Sequence, residues 1–380
     1  MNVITHINQF ENAKDVEAFK GLVQTLRSLP EIEPSAYLTQ RIMNAVNDDG
    51  NSQKDDMFYR SSRNPSLKPW LGAAAAAAVV LALFVFRSVF ITQMHVANST
   101  LSDNEEWLAR FQEVDGSWNP ARHGGAKVYQ PALTALSALA LYQAGSDYLP
   151  QVELACNYLQ KIQQRNGTFG GEGRESFYNQ AIVTFVLART TVNATERDAL
   201  QLACSAITTA QTVEGGWDYV PDSEGNAAIT SWQIQALAAA RDAGVPDLDV
   251  SIKKGLRWLR SVTDDRGAVS YKRDSRQMSD TVSALTAETL LTAGADFPEL
   301  STAGHRVVEA LKNKCSSSEN NDLYRDCMSV RAFKSAGEID TVALLKKRVF
   351  ASASTADDDQ WGKVGGRLYM KSLYSLTRTF

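Results

Sequence analysis

A pattern that recurs about every fifty residues after residue 100 constrains this chain more than any other feature. WLARFQEVDGSW begins at Trp107, YLQKIQQRNGTF at Tyr158, AITTAQTVEGGW at Ala206 and WLRSVTDDRGAV at Trp258. The first three share a glutamine (Gln112, Gln163, Gln211), then a glycine (Gly116, Gly167, Gly215), then an aromatic two residues on (Trp118, Phe169, Trp217). The fourth keeps Gly267 but has Thr263 and Val269 at the other two places. A fifth copy begins near Ala310 and Leu311, where Cys315 replaces the glutamine, and QWGKVGG around Trp361 reads as a partial sixth. A fixed period of this length marks an array of supersecondary units that bury a continuous core only by stacking.

A second helical pattern follows each copy. YQPALTALSALALYQAG ends at Gly145, SWQIQALAAARDAG at Gly244, DTVSALTAETLLTAG at Gly294 and CMSVRAFKSAG at Gly337, while YNQAIVTFVLARTT fills the slot in the second unit. Apolar residues return at three- and four-residue spacing, and a glycine is the expected helix stop. Each unit therefore reads as helix, Gly/aromatic turn, helix. No stretch shows sustained strand alternation, so residues 101–380 are predicted to be all-α.

The aromatic-Leu-x3-Gln-x3-Gly-x-Trp consensus resembles the QW motif of squalene cyclases and other terpenoid cyclases, relatives of the protein prenyltransferases. The resemblance implies an α/α toroid of about five to six helical hairpins, an inner ring of helices inside an outer ring around a central cavity. In that reading the motif glutamine reaches across a helix end to backbone groups and the aromatic stacks on it at the rim, stapling neighbouring repeats.

The same resemblance implies a proton donor in an Asp-x-Asp-Asp-Thr motif at the start of an inner helix. The matching stretch is Gln277-Met278-Ser279-Asp280-Thr281. Asp280 and Thr281 match, but Ser279 stands where the family has its donor, and a neutral hydroxyl is far too weak an acid to generate a carbocation. Asp280 is the remaining candidate acid, and cyclase chemistry is not expected. Asp357-Asp358-Asp359 lacks the following Thr and helix and reads as an exposed loop; Asp115, Glu172, Asp218, Asp222, Glu224 and Asp280 are available as paired carboxylates for glycoside cleavage, though solvated rim loops are the plainer reading. Zinc of the prenyltransferase kind needs an Asp-x-Cys pair; Asp326 and Cys327 are adjacent, and His6, His95, His123 and His305 fall at no ligand spacing, so neither metal nor cofactor is expected. A ligand cavity would be lined at the inner-helix starts by Tyr129, Tyr178, Trp232, Asp280, Tyr324 and Tyr369.

Ahead of the repeats, WLGAAAAAAVVLALFVF begins at Trp70 and runs seventeen residues without a charge; Arg87 and a further apolar stretch to Met94 follow. Residues 70–94 are predicted to form one transmembrane helix, long enough to span and too far from Met1 to be an ordinary cleaved signal peptide. Arg60, Arg63 and Lys68 precede it, whereas Asp103, Glu105 and Glu106 come before the next basic residue, Arg110. The positive-inside rule then places residues 1–69 in the cytoplasm and residues 95–380 outside. Residues 1–47 read as a short helical arm and 48–69 as a polar linker. LRSLPEIEPSAYLTQRIMNAV, followed by a linker and a single span, resembles the cytoplasmic tail of membrane-bound anti-sigma factors. That resemblance implies a sigma factor as cytoplasmic partner; the plainer reading is an anchoring arm.

The cysteines, Cys156, Cys204, Cys315 and Cys327, all fall on the exported side, where Cys156–Cys204 and Cys315–Cys327 are the pairs that disulfides would join; buried free thiols are the alternative. With 39 basic against 43 acidic residues, no electrostatic argument favours nucleic acid. The expected protein is a membrane-anchored extracytoplasmic toroid that binds or senses an apolar, glycan or peptide ligand or a partner protein. A squalene-cyclase-like enzyme and an anti-sigma-type regulator are the alternatives.

Overall fold

Two kinds of helix alternate along the chain, and what each buries follows from its pattern of residues. The computed structural model describes residues 103–380, apart from 172, 191–193, 220–222, 274, 276, 316–321, 352–358 and 360 and the side chains of 194–196, 313 and 315. The expected arm, linker and transmembrane helix lie outside these residues; among the described ones no helix is long and apolar enough to cross a membrane. The helices are α1 (103–110), α2 (Gln130–Ala144), α3 (Leu149–Ile162), α4 (Glu175–Thr190), α5 (Ala194–Thr209), α6 (Ala227–Asp242), α7 (Asp249–Ser261), α8 (Asp280–Thr292), α9 (Pro298–Cys315), α10 (Leu323–Ser335), α11 (Ile339–Ala351) and α12 (Gly362–Thr379).

Even-numbered helices from α2 to α10 are buried on every side through their middle turns, while α12 leaves Lys363 and Arg367 exposed. In α2 each residue from Pro131 to Leu141 is buried, and in α8 each from Thr281 to Leu291. Such helices sit inside, where Ala, Ser and Thr let neighbours approach closely. Odd-numbered helices are one-sided: α7 buries Ile252, Gly255, Leu256, Trp258 and Leu259, the stripe that three- and four-residue spacing puts on one face. The even helices pack against one another in order, and α12 returns against α2 to close a ring of six; the odd helices form the outer layer. This is the α/α toroid, with six hairpins.

The repeat motif is the joint between consecutive hairpins. Gln112 Nε2 donates to Gly116 O at 2.9 Å and to Gln151 O, on the next outer helix, at 2.8 Å. Gln163 bridges Gly167 O and Ala199 O in the same way, and Gln211 bridges Gly215 O and Ser251 O. Gly116 takes φ +89°, and a Cβ there would lie 2.1 Å from Leu154 O of α3. Only glycine combines that left-handed backbone with so close an approach. The motif aromatics are not at the rim: Trp118, Phe169 and Trp217 are wholly buried. The Trp118 and Trp217 indoles donate to Leu108 O and Ile207 O of their own outer helices. Their backbone N–H groups donate to inner-helix side chains, Thr134 and Thr230, as Phe169 N does to Gln180. Gln211→Ala removes the partner of two carbonyls, and we expect it to cost about 1–3 kcal/mol, read as a lower urea midpoint at unchanged slope. An unchanged midpoint would mean that the bridge contributes nothing.

The fourth and sixth copies depart from this scheme. Thr263 Oγ1 donates back to Leu259 O of its own helix, so no side chain of the Gln type bridges to α9. Trp361 is no motif aromatic, since it immediately precedes α12 and is 38% exposed. The seam is closed instead by Ala126 N donating to Val364 O at 2.8 Å, by Ser137 and Ser372 hydroxyls at 2.9 Å, and by Arg378 and Ser375 donating to Glu105.

Neither disulfide forms. Cys204 and Cys327 are buried free thiols, pushed up by burial to about 12 and about 11. The Cys156 thiol lies 3.3 Å from Thr190 Oγ1. Cys156 thus faces Thr190 of the inner helix α4, and Cys327 itself lies on the inner helix α10.

Candidate functional site

Inside the ring is a cavity of about 710 Å³, within the size range of small-molecule sites. All six inner helices contribute to its wall. Their first turns supply Tyr129, Tyr178, Ala228, Thr281, Tyr324 and Val364, and deeper turns supply Leu139, Leu285, Met328, Arg331 and Leu376, with Phe380 just beyond α12. The wall is mostly apolar and aromatic because the inner faces of helices buried on all sides carry few polar atoms. Five of the six residues expected at inner-helix starts, Tyr129, Tyr178, Trp232, Tyr324 and Tyr369, line it.

Asp280 does not. Its neighbours Ser279 and Thr281 face the cavity, whereas the Asp280 carboxylate pairs with Lys314 of α9 at 3.0 Å. A residue at the first position of α8 points outward when those beside it point in. The wall among the described residues therefore carries a single carboxylate, Glu175.

Asp115, Asp218 and Asp359 have structural partners, and Glu224 is exposed. Asp115 accepts from Ser117 N and Oγ inside the motif turn. Asp218 is buried; burial pushes its carboxyl up, but Lys272, Ser223 and the Tyr219 N–H together hold it below the ordinary range. Asp359 is buried rather than exposed, and accepts from Leu323 N at 2.7 Å and Trp361 N at 2.8 Å, tying α10 to the entry of α12. Glu172 and Asp222, with Asp357 and Asp358, lie outside the described residues. No cluster of three or more His, Cys, Asp or Glu suited to a metal occurs among the described residues.

Two polar groupings interrupt the apolar wall. Near the mouth, Tyr219 Oη lies 3.1 Å from both Tyr178 Oη and Tyr271 Oη, and burial pushes the Tyr178 and Tyr219 phenols well above their ordinary value. Trp232 donates to Tyr324 Oη at 2.7 Å. Deeper, Arg331 Nη2 lies 2.6 Å from Glu288 Oε1 and 3.0 Å from Gln235 Oε1, and Gln235 donates to Thr289 Oγ1 at 2.9 Å. Arg331, Glu288 and Gln235 are 6, 7 and 4% exposed. Burial pushes Glu288 above the usual carboxylate range, against the pull of Arg331 and Arg189.

Sequence reasoning missed this deeper set, and the signal was there to be read. Gln235, Glu288 and Arg331 each stand eight residues after the first residue of α6, α8 and α10. Equal register on three adjacent parallel helices puts them at one depth, about 12 Å from the helix starts. Each is a large polar or charged residue within a buried helix, and such residues are kept buried only in company.

Residues 53–313 match the family profile described as Prenyltransferase alpha-alpha toroid domain. Among solved structures, an inactive variant of the alpha-1,6-mannanase GH76A of Salegentibacter sp. HEL1_6, in complex with alpha-1,6-mannotetrose, is similar at 10% identity and a TM-score of 0.55, covering 74% of this chain and 97% of that one. The unsaturated glucuronyl hydrolase of Bacillus sp. GL1 aligns at 15% identity and a TM-score of 0.40, over 56% of this chain and 66% of its own. No curated protein matches the sequence. At 10% identity the likeness to the mannanase is one of fold.

Proposed function

Because the chain belongs to the prenyltransferase alpha-alpha toroid domain family, we propose that its toroid is a binding module for an apolar small molecule held in the central cavity, and that it does no cyclase chemistry. The observation that carries this reading is the wall itself: aromatic and aliphatic side chains from six inner helices enclosing about 710 Å³, with Glu175 as the one carboxylate among the described residues. Burial of apolar surface would supply the affinity, at roughly 25 cal/mol per Å² removed from water. The acid that would start a cyclisation is missing at Ser279, and Asp280 is held outside by Lys314.

In the same reading residues 70–94 anchor the toroid to a membrane with residues 1–69 in the cytoplasm, where they act as an arm or engage a sigma factor. The enzymatic alternative draws on the fold shared with a mannanase. Glycoside hydrolysis generally uses two carboxylates about 5–10 Å apart, and the described wall carries one.

The test is to incubate the full chain with squalene, re-isolate it and analyse the extracted lipid. Unchanged squalene should be retained by the wild type and lost, by about tenfold or more, in Ala228→Trp, which fills the cavity from α6. Cyclised triterpene, or retention unaffected by Ala228→Trp, would overturn the reading. Release of sugar from an alpha-1,6-mannan would favour the enzymatic alternative.

A further inference from the structure

The deep end of the cavity carries a charge that the apolar reading does not use. Arg331 lines the wall and is 6% exposed, yet its guanidinium is only partly occupied. Nε donates to Glu288 at 2.8 Å and Nη2 contacts Glu288 and Gln235. Nη1 reaches only the sulfur of Met328, at 3.9 Å, and Met328 also lines the cavity. A thioether is a weak acceptor, so among the described residues the N–H groups of Nη1 find no oxygen partner.

The surroundings hold that cation without neutralising it. The rings of Phe185, Trp232 and Phe380 lie 5.5, 5.6 and 4.9 Å from Arg331 Cζ. A second guanidinium, that of Arg189, lies 4.4 Å from the Phe185 ring centroid. Glu288 is the carboxylate paired with Arg331, whereas Arg189 is exposed and also feels the Asp242 carboxylate. Gln235, fixed by Thr289, holds the rest of the Arg331 fork in place.

We propose that Arg331 is a headgroup site, and that the ligand is an amphiphile with a terminal carboxylate that enters acid-first and places an oxygen on Nη1 while its apolar tail lies along the aromatic wall. This inference rests on the apolar-ligand reading above and narrows it to long-chain acids. A carboxylate oxygen would complete the fork that Glu288 and Gln235 begin, and charge-assisted hydrogen bonds in a dry site are the strong ones. The tail would run from this depth past Trp232 and Leu285 toward the tyrosines at the mouth.

The test compares palmitic acid, its methyl ester and hexadecane binding to the full chain by displacement of a fluorescent fatty acid. The acid should bind at least about tenfold more tightly than the ester. In the double variant Arg331→Met/Glu288→Gln, which leaves no lone buried charge, the acid should fall to the level of the ester while hexadecane binding is kept. Arg331→Lys, which keeps the charge and loses the fork, should fall between. Equal binding of acid and ester by the wild type, or a preference for the acid that survives the double variant, overturns the headgroup site and leaves the apolar reading standing. Failure of all three probes to bind overturns both.

Discussion

Glu288→Ala is expected to lower the unfolding free energy by about 3–5 kcal/mol, because it leaves Arg331 with its buried charge uncompensated. Arg331 cannot shed its proton, and at 6% exposure it cannot recruit bulk water. Gln235 and the flanking rings remain, but neither carries the opposite charge. Urea unfolding of the full chain, followed by tryptophan fluorescence, would read the loss as a lower midpoint. The diagnostic comparison is Arg331→Met/Glu288→Leu, which removes both charges and fills the space with apolar atoms. It should recover most of the deficit, since a buried ion pair is often replaceable at little net cost. A double variant as unstable as Glu288→Ala would show that packing, not charge, sets the penalty. The acid limb has a definite sign as well. Burial raises Glu288 above its ordinary value of 4.5, so the folded chain holds that proton more tightly than the unfolded one. This contribution is fully present below about 4.5 and is lost as pH rises through the folded value.

Gly116→Ala should be the other large loss, about 2–5 kcal/mol. Two effects add. Alanine at φ +89° costs roughly 1–2 kcal/mol in the left-handed region. Its Cβ would lie 2.1 Å from Leu154 O, so α3 must move away, with an overpacking cost of about 1–3 kcal/mol. Gly124→Ala separates the two. Gly124 has φ +81° but nothing within 4 Å of the Cβ position, so only the conformational cost applies. Equal losses at the two sites would mean that the contact between outer helices is soft, contrary to its role as a joint between repeats.

The toroid was legible because its signals are local and repeated. The Gln, Gly and aromatic of the first three copies stand at fixed intervals, and each makes a bond that depends on those intervals: Gln211 to Gly215 O, four residues away, and Gly116 against the next outer helix. The inner-helix tyrosines were legible for a similar reason, since the start of each inner helix is marked in the chain. Asp280 misled because a match to a motif gives position along a helix but not the direction in which the side chain leaves it; one residue turns it by about 100°. Asp359 misled because an acidic run looks solvated until the neighbouring helix whose N–H it accepts is known. The Arg331, Glu288 and Gln235 set went unread because its members lie on three different helices, and only the shared depth of eight residues connects them. The Cys156–Cys204 pair also failed: equivalent places in consecutive repeats do not by themselves bring two thiols together.

The closure of the ring has a consequence in time. Residues at the seam are about as far apart along the chain as the toroid allows: Arg378 and Ser375 grip Glu105 across 273 and 270 positions. While the chain emerges from the ribosome, five hairpins can stack in order, but the apolar flanks of α2 and α10 stay bare until α12 is made and slots between them. By then α4, α6 and α8 are flanked on both sides, but α2 and α10 are not until α12 is present. A slow closing step that leaves apolar flanks exposed in the meantime is the condition under which chains of this size associate wrongly. The Glu105–Arg378 contact can form only at that last step, because it joins the first outer helix to the last inner one.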